Sequence, residues 1–353
     1  MKRLTRWLQC LALFATVLLP ALAADKPTIV LISGEYEYKS AQTLPEFKKY
    51  LEANFPVNCI YLQRPAATNE QTIPGLEALE KADLVVLFSR RMTLPEAELA
   101  RFKAYVKSGK PIVGIRTASH SFENWKEFDA EVLGGNYGRH LQKDLKTTVT
   151  IAPQAGQHPI LEGVAGFVSN GSLYRNSPLK SGTTPLLIGK ISSGDTHPVA
   201  WTFQPNGARV FYTSLGHQDD FKEESFRRLL VNGIFWALNA PQRIQLDPGV
   251  KRVGVDLFEK VWRANRPVLL DVRTPEEFAA GHIPGATNID IRGKDFASKI
   301  KALDPTKEYL VYCAGGVRSA KACEQMEKLK FTNVLDLGPG FNGWSQAGKP
   351  VEK

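Results

Sequence analysis

Cysteine is scarce in this chain, with four residues in 353, and methionine is scarcer at three. So thin a supply of thiols, spread over Cys10, Cys59, Cys313 and Cys323, excludes a fold built on a disulfide framework. No histidine pair stands at the helical i, i+4 spacing of a zinc motif, so no metal is expected. No apolar run reaches the ~20 residues that a membrane-spanning helix needs. Basic blocks and nucleic-acid motifs are missing too, which argues against nucleic acid as a partner. There is no internal repeat and no low-complexity tract. What is present is ordinary globular composition, 43% hydrophobic and 23% charged, in a chain too long for one typical core. Two domains are the natural expectation.

Residues 1–23 read as a secretory signal peptide. Lys2, Arg3 and Arg6 precede the apolar run Trp7 to Leu19, and Ala21-Leu22-Ala23 supplies a small-x-small cleavage pattern. The expected mature protein begins at Ala24, is periplasmic or secreted, and keeps no stable membrane anchor. Trp7-Leu8-Gln9 lacks the small residue that a lipoprotein signal places before its cysteine, so Cys10 is not read as a lipid attachment point. Cleavage removes three cations and no acid, taking the formal charge from +9 to +6. Such a mildly basic surface favours anionic small molecules. Cys59, Cys313 and Cys323 remain, an odd number, so a monomer keeps at least one unpaired thiol.

Along the mature chain, β-rich apolar runs alternate with amphipathic stretches, the pattern of parallel sheets covered by helices. Thr28 to Ser33, Val57 to Leu62, Asp83 to Phe88 and Pro111 to Ile115 read as the first strands, and Pro198 to Phe203 and Arg209 to Ser214 continue the βα rhythm. Thr93-Leu94-Pro95-Glu96 reads as a capping box ahead of a helix carrying Leu99, Phe102 and Val106, stopped by Gly109. A further helix, Lys222 to Leu238, buries Phe226, Leu229, Leu230, Ile234 and Leu238. A segment with proline and glycine then separates two units, drawn as domains at 24–240 and 255–353 with 241–254 as linker. In the second unit Pro267 to Val272 and Glu308 to Tyr312 are strands. Thr274-Pro275-Glu276-Glu277 is a capping box with proline at the first helical position, and the helix Arg318 to Lys330 turns Ala322, Cys323, Met326 and Leu329 inward. The expected fold class is α/β, with two three-layer α/β/α domains on mainly parallel sheets.

The strongest chemical signal lies where Tyr309-Leu310-Val311-Tyr312 runs into Cys313-Ala314-Gly315-Gly316-Val317-Arg318-Ser319. A strand, a glycine-rich turn and a helix N-terminus together aim backbone N–H groups at one point and form an anion-binding nest. A thiol at that point is acidified from its ordinary value of ~8.5 and becomes an available nucleophile. This loop resembles the active-site loop of rhodanese domains. Leu269 to Arg273 and Gly281-His282-Ile283-Pro284-Gly285-Ala286 resemble that family's upstream signatures, and Leu337 to Trp344 its closing segment, with Pro339 in place of the usual first glycine. The resemblance implies sulfur transfer through a persulfide on Cys313 with no separate cofactor. The donor would be a sulfane sulfur compound such as thiosulfate, and the acceptor a thiol or cyanide. Arg318 would help to hold the anion, and the loop N–H groups of Ala314, Gly315, Gly316 and Val317 would cradle the sulfur. Asp271, Arg273 and His282 are then structural. Four residues between cysteine and arginine is the sulfur-transferring length, because related phosphatases enclose phosphate with one residue more. Cys323, ten residues on and across a helix, is read as a core residue on the order of 15 Å from Cys313, beyond disulfide reach. Cys59, on a buried strand, is read as core too.

In the first unit, Ser33 to Tyr38, Gly114 to Phe122, Leu133 to Tyr137, His158-Pro159-Ile160 and Phe211 to His217 resemble the trehalose-utilisation (ThuA-like) family. Its fold is similar to class I glutamine amidotransferases and flavodoxin-like sheets. Arg116 stands where those amidotransferases hold a nucleophilic cysteine, and arginine cannot attack a carbonyl, so glutaminase chemistry is excluded. Glu35, Glu37, Arg116, His120, His140 and His217, several of them just beyond predicted strand ends where open α/β sheets collect ligands, together mark a candidate pocket. The resemblance implies a carbohydrate-like ligand there. Arg116 has an alternative role in pairing with Glu35 or Glu37 and closing an empty elbow. For the whole chain, the leading expectation is an exported sulfurtransferase. The alternative is a carbohydrate-metabolism protein whose rhodanese unit only binds or regulates.

Overall fold

Residues 26–65, 70–141 and 146–353 are described by a computed structural model. Residues 1–23, read from the sequence as a signal peptide, lie outside them.

The first strands are apolar on both faces, as strands between two helix layers must be. In β1 (Thr28–Gly34), Ile29 and Leu31 enter one core with the helix α1 (Ser40–Asn54), while Val30 and Ile32 enter the opposite one. β2 (Asn58–Gln63), β3 (Leu84–Ser89) and, after α2 (Glu96–Lys107), β4 (Ile112–Ile115) extend the same two-sided pattern. Phe102 of α2 is fully buried, with Leu99 and Val106 beside it. The capping box expected at Thr93 does not form: Pro95 occupies the cap position without a side-chain bond, and the Thr93 N–H is taken by Gln71 Oε1 at 2.9 Å.

Beyond β4 come the short β5 (Arg139–His140), β6 (Thr147–Ile151), β7 (Phe167–Ser169), β8 (Tyr174–Arg175), β9 (Thr184–Lys190), β10 (Thr196–Phe203) and β11 (Val210–Thr213). One nine-stranded sheet runs in the order β2-β1-β3-β4-β11-β10-β9-β6-β7. Its first five strands are mutually parallel, whereas every pairing from β11–β10 outward is antiparallel. Pro198 to Phe203 is thus a strand but belongs to an antiparallel extension, not to the βα rhythm. The helix α3 (Glu224–Ala237) covers the parallel half with Phe226, Leu229, Leu230 and Ile234, all fully buried.

The second unit is a five-stranded parallel sheet in the order β12-β16-β15-β13-β14. Its strands are β12 (Gly249–Val253), β13 (Val268–Asp271), β14 (Thr287–Asn288), β15 (Glu308–Tyr312) and β16 (Asn333–Leu337). The helices α4 (Val255–Asn265), α5 (Pro275–Ala280), α6 (Phe296–Lys301), α7 (Val317–Lys328) and α8 (Gly340–Gln346) flank it. β12 corrects the linker: the segment drawn as 241–254 ends in an edge strand paired with β16, so the sheet starts at Gly249. The pairing partner is 84 positions away, which local composition does not reveal. The Thr274 capping box is present in full, with Pro275 at the first helical position. Leu329, read as inward, is exposed, because α7 ends at Lys328 and the last periodic position falls beyond it. Among the described residues no helix is long and apolar enough to cross a membrane.

Candidate functional site

β15 delivers Cys313 to the C-terminal edge of the second sheet, and α7 starts at Val317, so the intervening turn is forced to be tight. Gly316 permits it. Its φ is +83°, and a side chain there would collide with the Gly338 carbonyl oxygen. The loop is braced from below, where Phe341 N–H donates to Cys313 O at 2.7 Å and Asn342 N–H to Ala314 O at 3.0 Å. Pro339 does not disturb this brace. Its φ of −76° suits proline, and Gly340 takes the left-handed angle of +61°.

Cys313 Sγ accepts the Gly316 N–H at 3.1 Å and lies 3.5 Å from Ser319 Oγ. Burial works against the thiolate, but hydrogen bonds from the Ser319 hydroxyl and from the N–H groups of Ser319, Gly315 and Gly316 outweigh it. The Cys313 pKa falls below the ordinary thiol value. Ser319 is fully buried on the first turn of α7, facing the sulfur. The sequence pattern singles out its neighbour Arg318, although the place of Ser319 two residues into the helix is a signal of the same kind.

Arg318 is present beside the loop but already engaged. Its Nη1 and Nη2 each donate at 2.6 Å to Glu277, 41 positions earlier. That bidentate pairing holds the Glu277 carboxyl down at about 2, against the cost of its burial. Glu277, visible in the sequence only as the closing residue of a capping box, thus has a second task. Asp271 and Arg273 form a buried pair with Nη2–Oδ2 at 2.6 Å, and His282 stacks on Phe278 with ring centres 3.8 Å apart. Cys323 faces the same apolar cluster as Cys313 and is a free thiol whose pKa burial drives upward; Cys59, likewise free and buried, is pushed up to about 12.

In the first unit Arg116 links several of the candidates, lying over Tyr38, which packs on His217, and over Tyr174, which packs on His120. Arg116 follows β4 at φ +46°, the strained backbone of an elbow, and is 1% exposed. Its guanidinium donates to Ser214 O at 2.8 Å and Ser172 Oγ at 3.2 Å and lies over the rings of Tyr38 and Tyr174 at 4.0 and 4.8 Å. Among the described residues it makes no ion pair with a carboxylate, so pairing with Glu35 or Glu37 is not what fills the elbow. Glu35 is buried and accepts the Tyr38 and Ser40 N–H groups, both at 2.7 Å, which ties down the turn into α1. Glu37 lies at the surface, 3.7 Å from Arg90 Nε. His217 packs edge-on to Tyr38 and 3.4 Å from Asp219. His140, exposed on the small β5–β8 bridge, lines a second cleft with Arg139 and Asp195.

His120 lines a cleft of about 500 Å³ together with Arg91, Trp125, Asp129, Asn136 and Tyr137. Its ring stacks on Tyr137 with centres 4.4 Å apart. Burial and the neighbouring Arg90, Arg91, Arg116 and His140 push the imidazole down to about 3, so it is neutral at physiological pH. Asp129 carries no motif that marks it in the sequence. It sits in a single π-helical turn, Asp129–Leu133, accepts the Tyr137 N–H at 2.7 Å, and has its carboxyl raised by burial to about 7. No group of three or more metal-ligating side chains occurs among the described residues.

Fold and sites together define a two-domain α/β protein whose C-terminal unit presents a cysteine in an N–H-rich loop between a strand and a helix. Comparison with known proteins agrees. A family model described as ThuA, trehalose utilisation, matches residues 29–237, and a rhodanese-like domain model matches 256–347; the chain belongs to both families. It is 37% identical over 94 residues to YtwF of Bacillus subtilis (strain 168), covering 27% of this chain and 88% of that protein. With thiosulfate sulfurtransferase 16, chloroplastic, of Arabidopsis thaliana it shares 33% identity over 93 residues, covering 24% of this chain and 78% of that one. A solved ThuA-like structure from Bacteroides uniformis ATCC 8492 is 19% identical, with a TM-score of 0.48 over 62% of this chain and 95% of that chain.

Proposed function

We propose that this protein is a sulfurtransferase working through Cys313. The thiolate attacks the outer sulfur of a sulfane donor such as thiosulfate; the S–S bond of the donor breaks, sulfite leaves with the bonding pair, and a persulfide forms on Cys313. Cyanide or a thiol then takes that sulfur and the thiolate is restored. The observation that carries this reading is the lowered Cys313 pKa inside a ring of N–H and hydroxyl donors, since the same donors that favour the thiolate also favour a persulfide anion. The matching relatives whose names include sulfurtransferase support it. Treating the full chain with thiosulfate should add the mass of one sulfur atom, which cyanide removes as thiocyanate. Cys313→Ser should take up none. A wild type that accepts no sulfur from any donor would leave the alternative, a rhodanese unit that only binds or regulates.

For the first unit, the stacked His120 and Tyr137 rings and the polar groups of the cleft they line support a small polar, carbohydrate-like ligand. Thermal-shift screening against sugars and sugar acids tests this, because a ligand bound only by the native state raises the melting temperature. Export by residues 1–23 stands as a proposal with it, and N-terminal sequencing of extracytoplasmic material should find Ala24 first.

A further inference from the structure

Among the described residues, the arginines beside the Cys313 loop and its bracing turn are each matched by a carboxylate. Arg318 is held by Glu277 in two bonds of 2.6 Å, Arg273 by Asp271 at 2.6 Å, and Arg252, which donates to Gly338 O at 2.8 Å, lies 3.7 Å from Asp336. The loop side chains add no charge. Ala314 is small, and Val317, at 67% exposure, puts an apolar group on the rim. Once Cys313 is ionised, the uncompensated attraction that the described residues offer an incoming donor comes from backbone N–H groups, and these paired charges together with the thiolate sum to a negative charge.

That balance matters for the donor. Attack on thiosulfate gathers three negative charges at the loop, one from the thiolate and two from the donor. Attack on a protonated hydropersulfide, R–S–S–H, gathers one. In that step the Cys313 thiolate bonds the terminal sulfur, the S–S bond of the donor breaks, and the leaving R–S⁻ takes the proton as R–S–H, so that the Cys313 persulfide is left as the anion that the loop N–H groups favour. Like charges brought together in a partly buried site are costly, and a carboxylate fixed beside the entrance adds to the cost for a dianion far more than for a neutral molecule. We infer that Glu277 is a specificity-determining residue, which neutralises Arg318 and so tunes the loop towards a low-charge organic hydropersulfide over dianionic thiosulfate. This rests on the sulfur-transfer reading of Cys313 and names its donor class.

The test compares loading of Cys313 in single turnovers, followed by intact mass, with thiosulfate and with the hydropersulfide of N-acetylcysteamine, whose carbon part is uncharged. Wild type should load faster from the hydropersulfide. Glu277→Gln, which removes the charge and keeps an oxygen able to accept the Thr274 N–H, should speed loading from thiosulfate by about tenfold and change the hydropersulfide rate by less than about twofold. A second measurement needs no variant: a site with no free cation should load from thiosulfate no more slowly as ionic strength rises, whereas a cationic site would slow. An unchanged donor ratio in a folded Glu277→Gln protein, or wild-type loading from thiosulfate that slows steeply with salt, overturns the inference. Loss of loading from both donors in Cys313→Ser, with wild type active, keeps the sulfur-transfer reading intact whichever way the donor ratio falls.

Discussion

Ser319→Ala isolates one support of the Cys313 thiolate. The hydroxyl is fully buried, 3.5 Å from Sγ, and its contribution is the largest of those that lower the thiol pKa. A hydrogen bond to a charged group contributes roughly 1.5–3 kcal/mol, and a long bond to sulfur belongs at or below the lower end, so the loss should be about 1.4 kcal/mol, or about one pKa unit. The N–H groups of Gly315, Gly316 and Ser319 stay in place, so the thiol should not return to its free value. The sign follows directly. With the pKa raised, the thiolate fraction falls at any pH below it, and alkylation by iodoacetamide slows by about tenfold there. Above both pKa values the two proteins should react at the same rate. The assay is the alkylation rate of Cys313 against pH, read by mass spectrometry of the Cys313 peptide so that Cys59 and Cys323 do not intrude. A Ser319→Ala profile that overlays the wild type would show that the backbone nest alone sets the thiol and that the Ser319 hydroxyl has no part in acidifying it.

Gly316→Ala should abolish sulfur loading while leaving the first unit folded, because its +83° φ and the Gly338 carbonyl leave no room for a methyl group; the thiocyanate assay with circular dichroism checks it. Cys323→Ser should keep most of the activity, since that thiol is buried, its pKa is raised, and it is in no disulfide; intact-mass loading decides this, and loss of loading in a folded variant would call for a relay between the thiols. Asp129 has its carboxyl raised from 3.8 to about 7, so it stabilises the fold fully below pH ~4, and that contribution is lost as pH rises towards 7. The shift corresponds to an upper bound of about 4 kcal/mol, so Asp129→Asn should flatten the fall in melting temperature across that window, as measured by calorimetry at a series of pH values.

Much of this protein is legible in the chain because its signals are local. The strands β1 to β4, the capping box at Thr274 and the Cys313 loop are each written within a dozen residues, where alternation, caps and glycine placement act directly on the backbone. The position of Arg116 on an elbow is legible for the same reason. What only the tertiary structure decides depends on groups far apart in sequence. Glu277 meets Arg318 across 41 positions and turns an expected free cation into a neutralised one. Arg116 is sealed by Tyr38 and Tyr174, Asp129 is raised by burial that no local pattern encodes, and β12 finds its partner in β16. Sequence spacing places a side chain on its element, but the charge it carries and the partner it meets are set by desolvation and by neighbours that only packing brings together.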